Sequence, residues 1–107
     1  MHTTSLKLIT IVAEPVLEAR LVHDIHLLGA TGHTITDGRG AGTSHRHATD
    51  YPGENIRLEA IVAPEVADRI VSHMASQYFA TYSLICFVSD VAVVRGEKYL
   101  TPRPPTA

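Results

Sequence analysis

The chain contains a single cysteine, Cys86, in 107 residues. One thiol closes no disulfide within the chain. Set in the apolar run Leu84–Val88, Cys86 reads as a small buried hydrophobe in a reducing compartment. Long apolar runs are also missing. Nothing approaches the roughly 20 residues needed to span a bilayer. The N-terminal MHTTSLKLIT lacks the basic stretch and long apolar segment of a leader. These absences predict a soluble, cytoplasmic protein. Nor is there an excess of positive charge: nine Lys and Arg face eleven Asp and Glu, a formal net charge of −2. That speaks against nucleic-acid binding, which needs a basic footprint. Two standard nucleotide fingerprints are absent, the Walker Lys-Ser/Thr ending and a strand–GxGxxG–helix passage. No nucleophile–base–acid arrangement stands out either. Ser44 beside His45 is only a sequence neighbour, so no enzymatic activity is expected.

What remains is 45% hydrophobic. This suffices for a small core and a single domain spanning residues 1–107. A core of that size also makes oligomerisation a reasonable expectation.

The chain reads as two similar halves. Leu6–Ala13 is apolar and β-branched, and Glu14-Pro15 then opens a helical pattern. Ile56–Ala63 is again apolar and β-branched, and Pro64-Glu65 opens another. Proline suits the first helical turn, where its missing N–H is not needed. The same offset carries Arg20 onto Arg69, Leu21 onto Ile70 and Val22 onto Val71, as in a duplicated β-α-β unit. Leu17, Leu21, Ile25 and Leu28 predict a helix over Pro15–Leu28 stopped by Gly29. Val66, Ile70, Met74 and Tyr78 predict a second over Pro64–Phe79, with Met74 and Tyr78 in the core. Strands are expected at His33–Thr36 and Leu84–Val94. The order is βαββαβ, a ferredoxin-like α+β fold: a four-stranded antiparallel sheet with two helices on one face. Strand one is apolar on both sides (Leu6 and Leu8, Ile9 and Ile11). Its second face therefore needs cover, most simply from another copy.

Between strands two and three lies the segment 37–54, longer than ordinary loops and rich in glycine. It is expected to be mobile without a ligand. The tail 100–107, with three prolines, is expected to be extended. The run Gly38-Arg39-Gly40-Ala41-Gly42 can aim consecutive N–H groups at an anion. Arg39 and Arg46 add forked donors matched to phosphate or carboxylate.

Taken in order, these motifs resemble the PII and PII-like signalling proteins over roughly Leu6 to Tyr99. Gly29-Ala-Thr-Gly-His-Thr-Ile-Thr36 resembles the family's helix-ending glycine and its Gly-x-Thr leading into strand two. Gly40-Ala41-Gly42 sits where the family has Gly-aromatic-Gly at the base of its T-loop. Ser89-Asp90-Val91-Ala92 resembles its fourth strand. There are departures. Thr81-Tyr82-Ser83 replaces the glycine-rich B-loop. Thr43 stands where an arginine usually follows the second T-loop glycine. Tyr51 lacks the flanks of the family's modification site. The resemblance is nearest to the inorganic-carbon branch, associated with carboxysomes or bicarbonate transporters. It implies a homotrimer that binds adenine nucleotide (ADP, AMP or ATP) between subunits, with bicarbonate as co-ligand and the T-loop as the surface for a protein partner.

By the same resemblance, Gly32 and Thr34, with the backbone of Ile61, Val62 and Ala63, fall on the adenine side. Gly38, Arg39, Gly40, Gly42 and Arg46 fall on the phosphate or bicarbonate side. Arg95, Gly96 and Lys98 follow strand four, where the family has basic residues reaching the phosphates, and Arg103 is a further cation in the tail. Two other readings use the histidines. His23 and His26 lie three apart on the first helix, and His45 and His47 flank Arg46, which would suit a metal-responsive trimer of the same fold. No carboxylate or cysteine completes either pair at a zinc spacing, so no metal site is expected. A histidine base in the inter-subunit cleft would make a small enzyme.

Overall fold

Strand β1 (Thr3–Ala13) lies inside the sheet, between two partners, in a computed structural model that describes residues 2–40 and 53–100. The remaining elements are α1 (Glu18–Leu27), β2 (Thr34–Arg39), β3 (Glu54–Val62), α2 (Pro64–Gln77) and β4 (Ile85–Val94). The sheet order is β2-β3-β1-β4, with every pairing antiparallel. This is the expected ferredoxin-like fold.

Alternation along the strands sorts residues to two faces. Ile9, Ile11 and Ala13 of β1 pair with Ala60, Leu58 and Ile56 of β3. All six are buried against Leu17, Leu21 and Ile25 from the first helical segment and Val66, Ala67, Ile70 and Met74 from α2. Leu8, Thr10 and Val12 take the opposite face, across from Ile61, Glu59 and Arg57. Strand one is two-sided, as its sequence requires.

The boundaries differ from expectation in instructive ways. Pro15–Leu17 forms a 3₁₀ turn, and the α-helix proper begins at Glu18. Helix α2 ends at Gln77 rather than Phe79, because Tyr78 already departs from helical dihedrals with φ −123°. Gly29 ends the first helix at φ +122°, a conformation that favours glycine. It also lies against α2: a Cβ there would come within 3.0 Å of Val66 Cγ2.

Segment 37–54 is not wholly a loop. β2 continues through Asp37, Gly38 and Arg39, opposite Ile56, Asn55 and Glu54. The Gly40 N–H then donates to the Gly53 carbonyl at 2.8 Å. Ladder pairing overrides the low strand preference of Asp and Gly. The expected mobility of residues 41–52 and the extended tail 101–107 lie outside the described residues.

A 3₁₀ helix, Gly96–Tyr99, follows β4. Arg95 leads into it at φ +62°. Gly96 is buried, with the space for a Cβ filled by Leu6, Thr4 and Val93 at 3.0–3.1 Å. The absence of that Cβ lets the turn fold down onto Leu6, on the face of the sheet without helices.

Candidate functional site

The face without helices carries a cavity of about 430 Å³ where the chain enters β2. Gly32, His33 and Thr34 form one wall, and Glu59, Ala60 and Ile61 of β3 form the floor. Leu8 and Tyr99 close the remaining side. The register explains the grouping, since Thr34 is opposite Glu59 and Ile61 is opposite Leu8. Tyr99 arrives through the 3₁₀ turn that Gly96 allows. Apolar walls from Leu8, Ile61 and Tyr99 suit a flat ring. Backbone at Gly32 and the Thr34 hydroxyl supply directional hydrogen-bonding groups, and Glu59, 3.8 Å from Arg57 Nε, supplies a carboxylate.

Three residues expected on the adenine side, Gly32, Thr34 and Ile61, thus share one cavity. Val62 and Ala63 do not line it. They are buried in the core beneath the helices, at 2% and 3% exposure. Leu8, His33, Glu59, Ala60 and Tyr99 were not anticipated.

Gly38 and Arg39 lie elsewhere. They line a second hollow of about 440 Å³ with Pro15, Asp37, Glu54 and Asn55. It is four to five residues along β2 from Thr34, roughly 14–17 Å at strand rise. As strand residues, Gly38 and Arg39 do not form the glycine-loop concavity inferred from sequence. Two carboxylates accompany Arg39 there, so the hollow of a single chain is of mixed charge. Gly40 is exposed and held to Gly53. Gly42 and Arg46, and likewise His45, His47, Tyr51 and Arg103, lie outside the described residues.

After β4, Arg95 and Lys98 are exposed, Gly96 is buried as packing, and Lys98 Nζ lies 5.1 Å from the Tyr99 ring centre. Lys98 therefore stands beside Tyr99, which lines the first cavity.

A polar cluster joins the two helices away from both hollows. Tyr78 Oη donates to Asp24 Oδ2 at 2.5 Å, and His73 Nε2 meets the same oxygen at 3.0 Å. The Arg20 guanidinium stacks 4.5 Å from the Tyr78 ring centre and donates to Tyr82 Oη. Burial alone would raise the Asp24 pKa. The Tyr78 and His73 hydrogen bonds, with the charges of His73 and Arg20, outweigh it and hold the carboxyl below its usual value. Burial and the Asp24 carboxylate push the Tyr78 phenol upward. Burial also raises the Cys86 thiol to about 11, so it stays protonated and unreactive near neutrality.

His26 Nε2 meets His33 Nδ1, across the Gly29 turn, at 2.8 Å. Among the described residues, no three His, Cys, Asp or Glu side chains converge as a metal cage. No described helix is long and apolar enough to cross a membrane.

Comparison with known proteins gives a consistent picture. Residues 6–98 match the family model "Nitrogen regulatory protein P-II". A PII-like signaling protein from Thermus thermophilus is 52% identical, covering 92% of this chain and 99% of its own, with a TM-score of 0.80. CPII from Thiomonas intermedia, bound to ADP, AMP and bicarbonate, shares the fold at 22% identity and TM-score 0.77, over 92% and 96% of the two chains. The Bacillus subtilis GlnK–ATP complex shares it at 17% identity and TM-score 0.62, over 81% and 83%.

Proposed function

The chain belongs to the P-II family, and on that premise we propose that it is a regulator sensing adenine nucleotide (ADP, AMP or ATP) together with bicarbonate. The ligands bind at clefts between the subunits of a homotrimer. Their occupancy is reported to a protein partner through segment 37–54, in inorganic-carbon metabolism. The partner is a bicarbonate transporter or a carboxysome component.

The observation that carries this reading is the cavity at the start of β2. Its volume is within the range of small-molecule sites, and it combines apolar walls with a few polar groups. Leu8, Ile61 and Tyr99 sandwich the purine, while Gly32 and Thr34 address its edge. The cavity opens on the face without helices, where Phe87 and Ile85 are exposed at 41% and 58%. A neighbouring copy covers those side chains and closes the cleft. It also brings a second charged region to the nucleotide, which resolves the separation of Gly38 and Arg39 from Thr34 within one chain. Arg39, Arg95 and Lys98 reach the phosphates, and Arg39, Gly40, Gly42 and Arg46 serve bicarbonate. The bicarbonate-bound CPII and ATP-bound GlnK folds support this choice of ligands.

Calorimetry against ADP, AMP and ATP, with and without bicarbonate, tests the reading. Nucleotide should bind once per subunit cleft. Arg39→Ala and Arg95→Ala should weaken it about ten- to hundredfold, the effect of losing one charge-assisted hydrogen bond. Bicarbonate and nucleotide should tighten one another by the same factor, and chloride at matched ionic strength should not substitute. Absence of binding by all three nucleotides would overturn the proposal.

A further inference from the structure

We propose that His26 and His33 form a two-histidine site for a divalent transition metal, Zn²⁺ foremost. Their nitrogens converge from different elements: His26 from the last turn of α1, His33 from the segment just before β2. His26 Nε2 and His33 Nδ1 are 2.8 Å apart, with ring planes at 77° and centroids 5.1 Å apart. Without metal, that approach is one hydrogen bond and requires complementary tautomers: one nitrogen carries the proton and the other a lone pair. Replacing the shared proton by a metal lets both lone pairs be used.

The geometry is close to what an ion needs. Zn–N bonds of about 2.0–2.1 Å at a tetrahedral angle put two ligand nitrogens roughly 3.3 Å apart. The pair must open by about 0.5 Å, which small side-chain rotations supply. The backbone is already set. Gly29 at φ +122° and the Ala30 N–H bond to the Ile25 carbonyl fold the chain back so that residues seven apart face each other.

Imidazole donors select zinc, copper or nickel over magnesium or calcium, which prefer oxygen. No third described His, Cys, Asp or Glu joins the pair. His33 is exposed and also lines the cavity at the start of β2. The site therefore sits on that cavity's rim, yet it stands on the two imidazoles alone and does not depend on what fills the cavity.

The test is calorimetry of the metal-free protein with Zn²⁺, and with Mg²⁺ for contrast, followed by Cu²⁺ electron paramagnetic resonance to count coordinated nitrogens. The wild-type chain should take up one Zn²⁺ per subunit at this site and none of the Mg²⁺. Its Cu²⁺ spectrum should show two imidazole nitrogens. His33→Gln should weaken Zn²⁺ binding roughly tenfold or more, since even losing an outer partner of a metal ligand costs that much. It should also abolish the rise in Tm that Zn²⁺ gives. His26→Gln should do the same. His23→Gln, an exposed neighbour on α1, and the double variant His45→Gln/His47→Gln should leave binding intact. Unchanged Zn²⁺ affinity in His33→Gln, or loss of binding only in the His45/His47 variant, would overturn the proposal. His33 is exposed and precedes β2, so its variant should fold, and circular dichroism checks this directly.

Discussion

The two faces of the sheet are made by alternate residues of the same strands, and they are built to different ends. On the helix side, Ile9, Ile11, Leu58 and Ile56 are at most 1% exposed and entirely apolar. On the other side, Leu8, Thr10, Val12, Arg57, Glu59 and Phe87 mix apolar, hydroxyl and charged groups, and most are partly open. The first face supplies the stability of the single chain. The second keeps a cavity, an ion pair and uncovered apolar groups, which are useful only if something else arrives. Two adjacent residues of β1 can therefore have quite different consequences.

The largest effect should come from the closed face. Ile11→Ala should lower unfolding stability by about 2–5 kcal/mol, through lost burial and the cavity left behind. Val12→Ala, one residue on but facing outward, should cost clearly less in urea titrations at concentrations where the chain is monomeric. Equal losses would break the comparison.

Phe87→Asp should act in the opposite sense, sparing the folded monomer and disrupting assembly. Burying Phe87 is worth roughly 1.5–3 kcal/mol per copy, and a carboxylate there would resist desolvation. Light scattering should show a trimer for the wild type and smaller species for the variant. A wild-type monomer at micromolar concentration would refute the assembly.

Tyr78→Phe removes the hydrogen bond to Asp24 that ties the helices together, at a cost of about 1.5–3 kcal/mol for a bond to a charged group. It should also change the response to acid. Asp24 has a folded pKa below its ordinary 3.8. Its contribution is therefore complete above that value and is lost as pH falls through the lowered folded pKa. The variant should lose less stability over this window, as measured by urea midpoints at successive pH values. An unchanged acid slope would show that the Tyr78 bond does not set the Asp24 pKa.

The smallest effect is a gain. Thr10 is fully buried, and its hydroxyl finds no partner among the described residues. Thr10→Val should raise stability by about 1 kcal/mol by removing an unpaired buried polar group. A loss on thermal unfolding would mean that the hydroxyl is satisfied.

How much of this was legible in the sequence follows from what local patterns encode. Helical spacing located both helices, and Pro15, Pro64 and Gly29 marked their ends, because those signals act within a few residues. Register does not act locally. Nothing near Thr34 indicates that Glu59 lies opposite, so half of the cavity was invisible. Asp37, Gly38 and Arg39 carry loop-like chemistry, and only pairing with Glu54–Ile56 makes them strand. Tyr99 enters the cavity because Arg95 adopts a left-handed conformation and Gly96 packs on Leu6. Asp24 meets His73 and Tyr78 from 49 and 54 residues away, and His26 meets His33 only because the Gly29 turn reverses the chain. Gly32 and Thr34 were reachable from a short motif because that motif is itself a wall of the cavity.

The hydrogen bond from Gly40 to Gly53 has a consequence for the variability of the chain between them. It joins the two ends at a fixed point, with Asn55 Nδ2 reaching the same Gly53 carbonyl at 3.4 Å. Everything enclosed is then a closed ring attached to a finished sheet. The entropy of closing a ring grows only with the logarithm of its length, so doubling the enclosed residues costs about 0.6 kcal/mol. Insertions, deletions and wholesale replacement inside this ring are nearly neutral for folding. The strands beneath can thus stay as they are while the sequence between Gly40 and Gly53 changes.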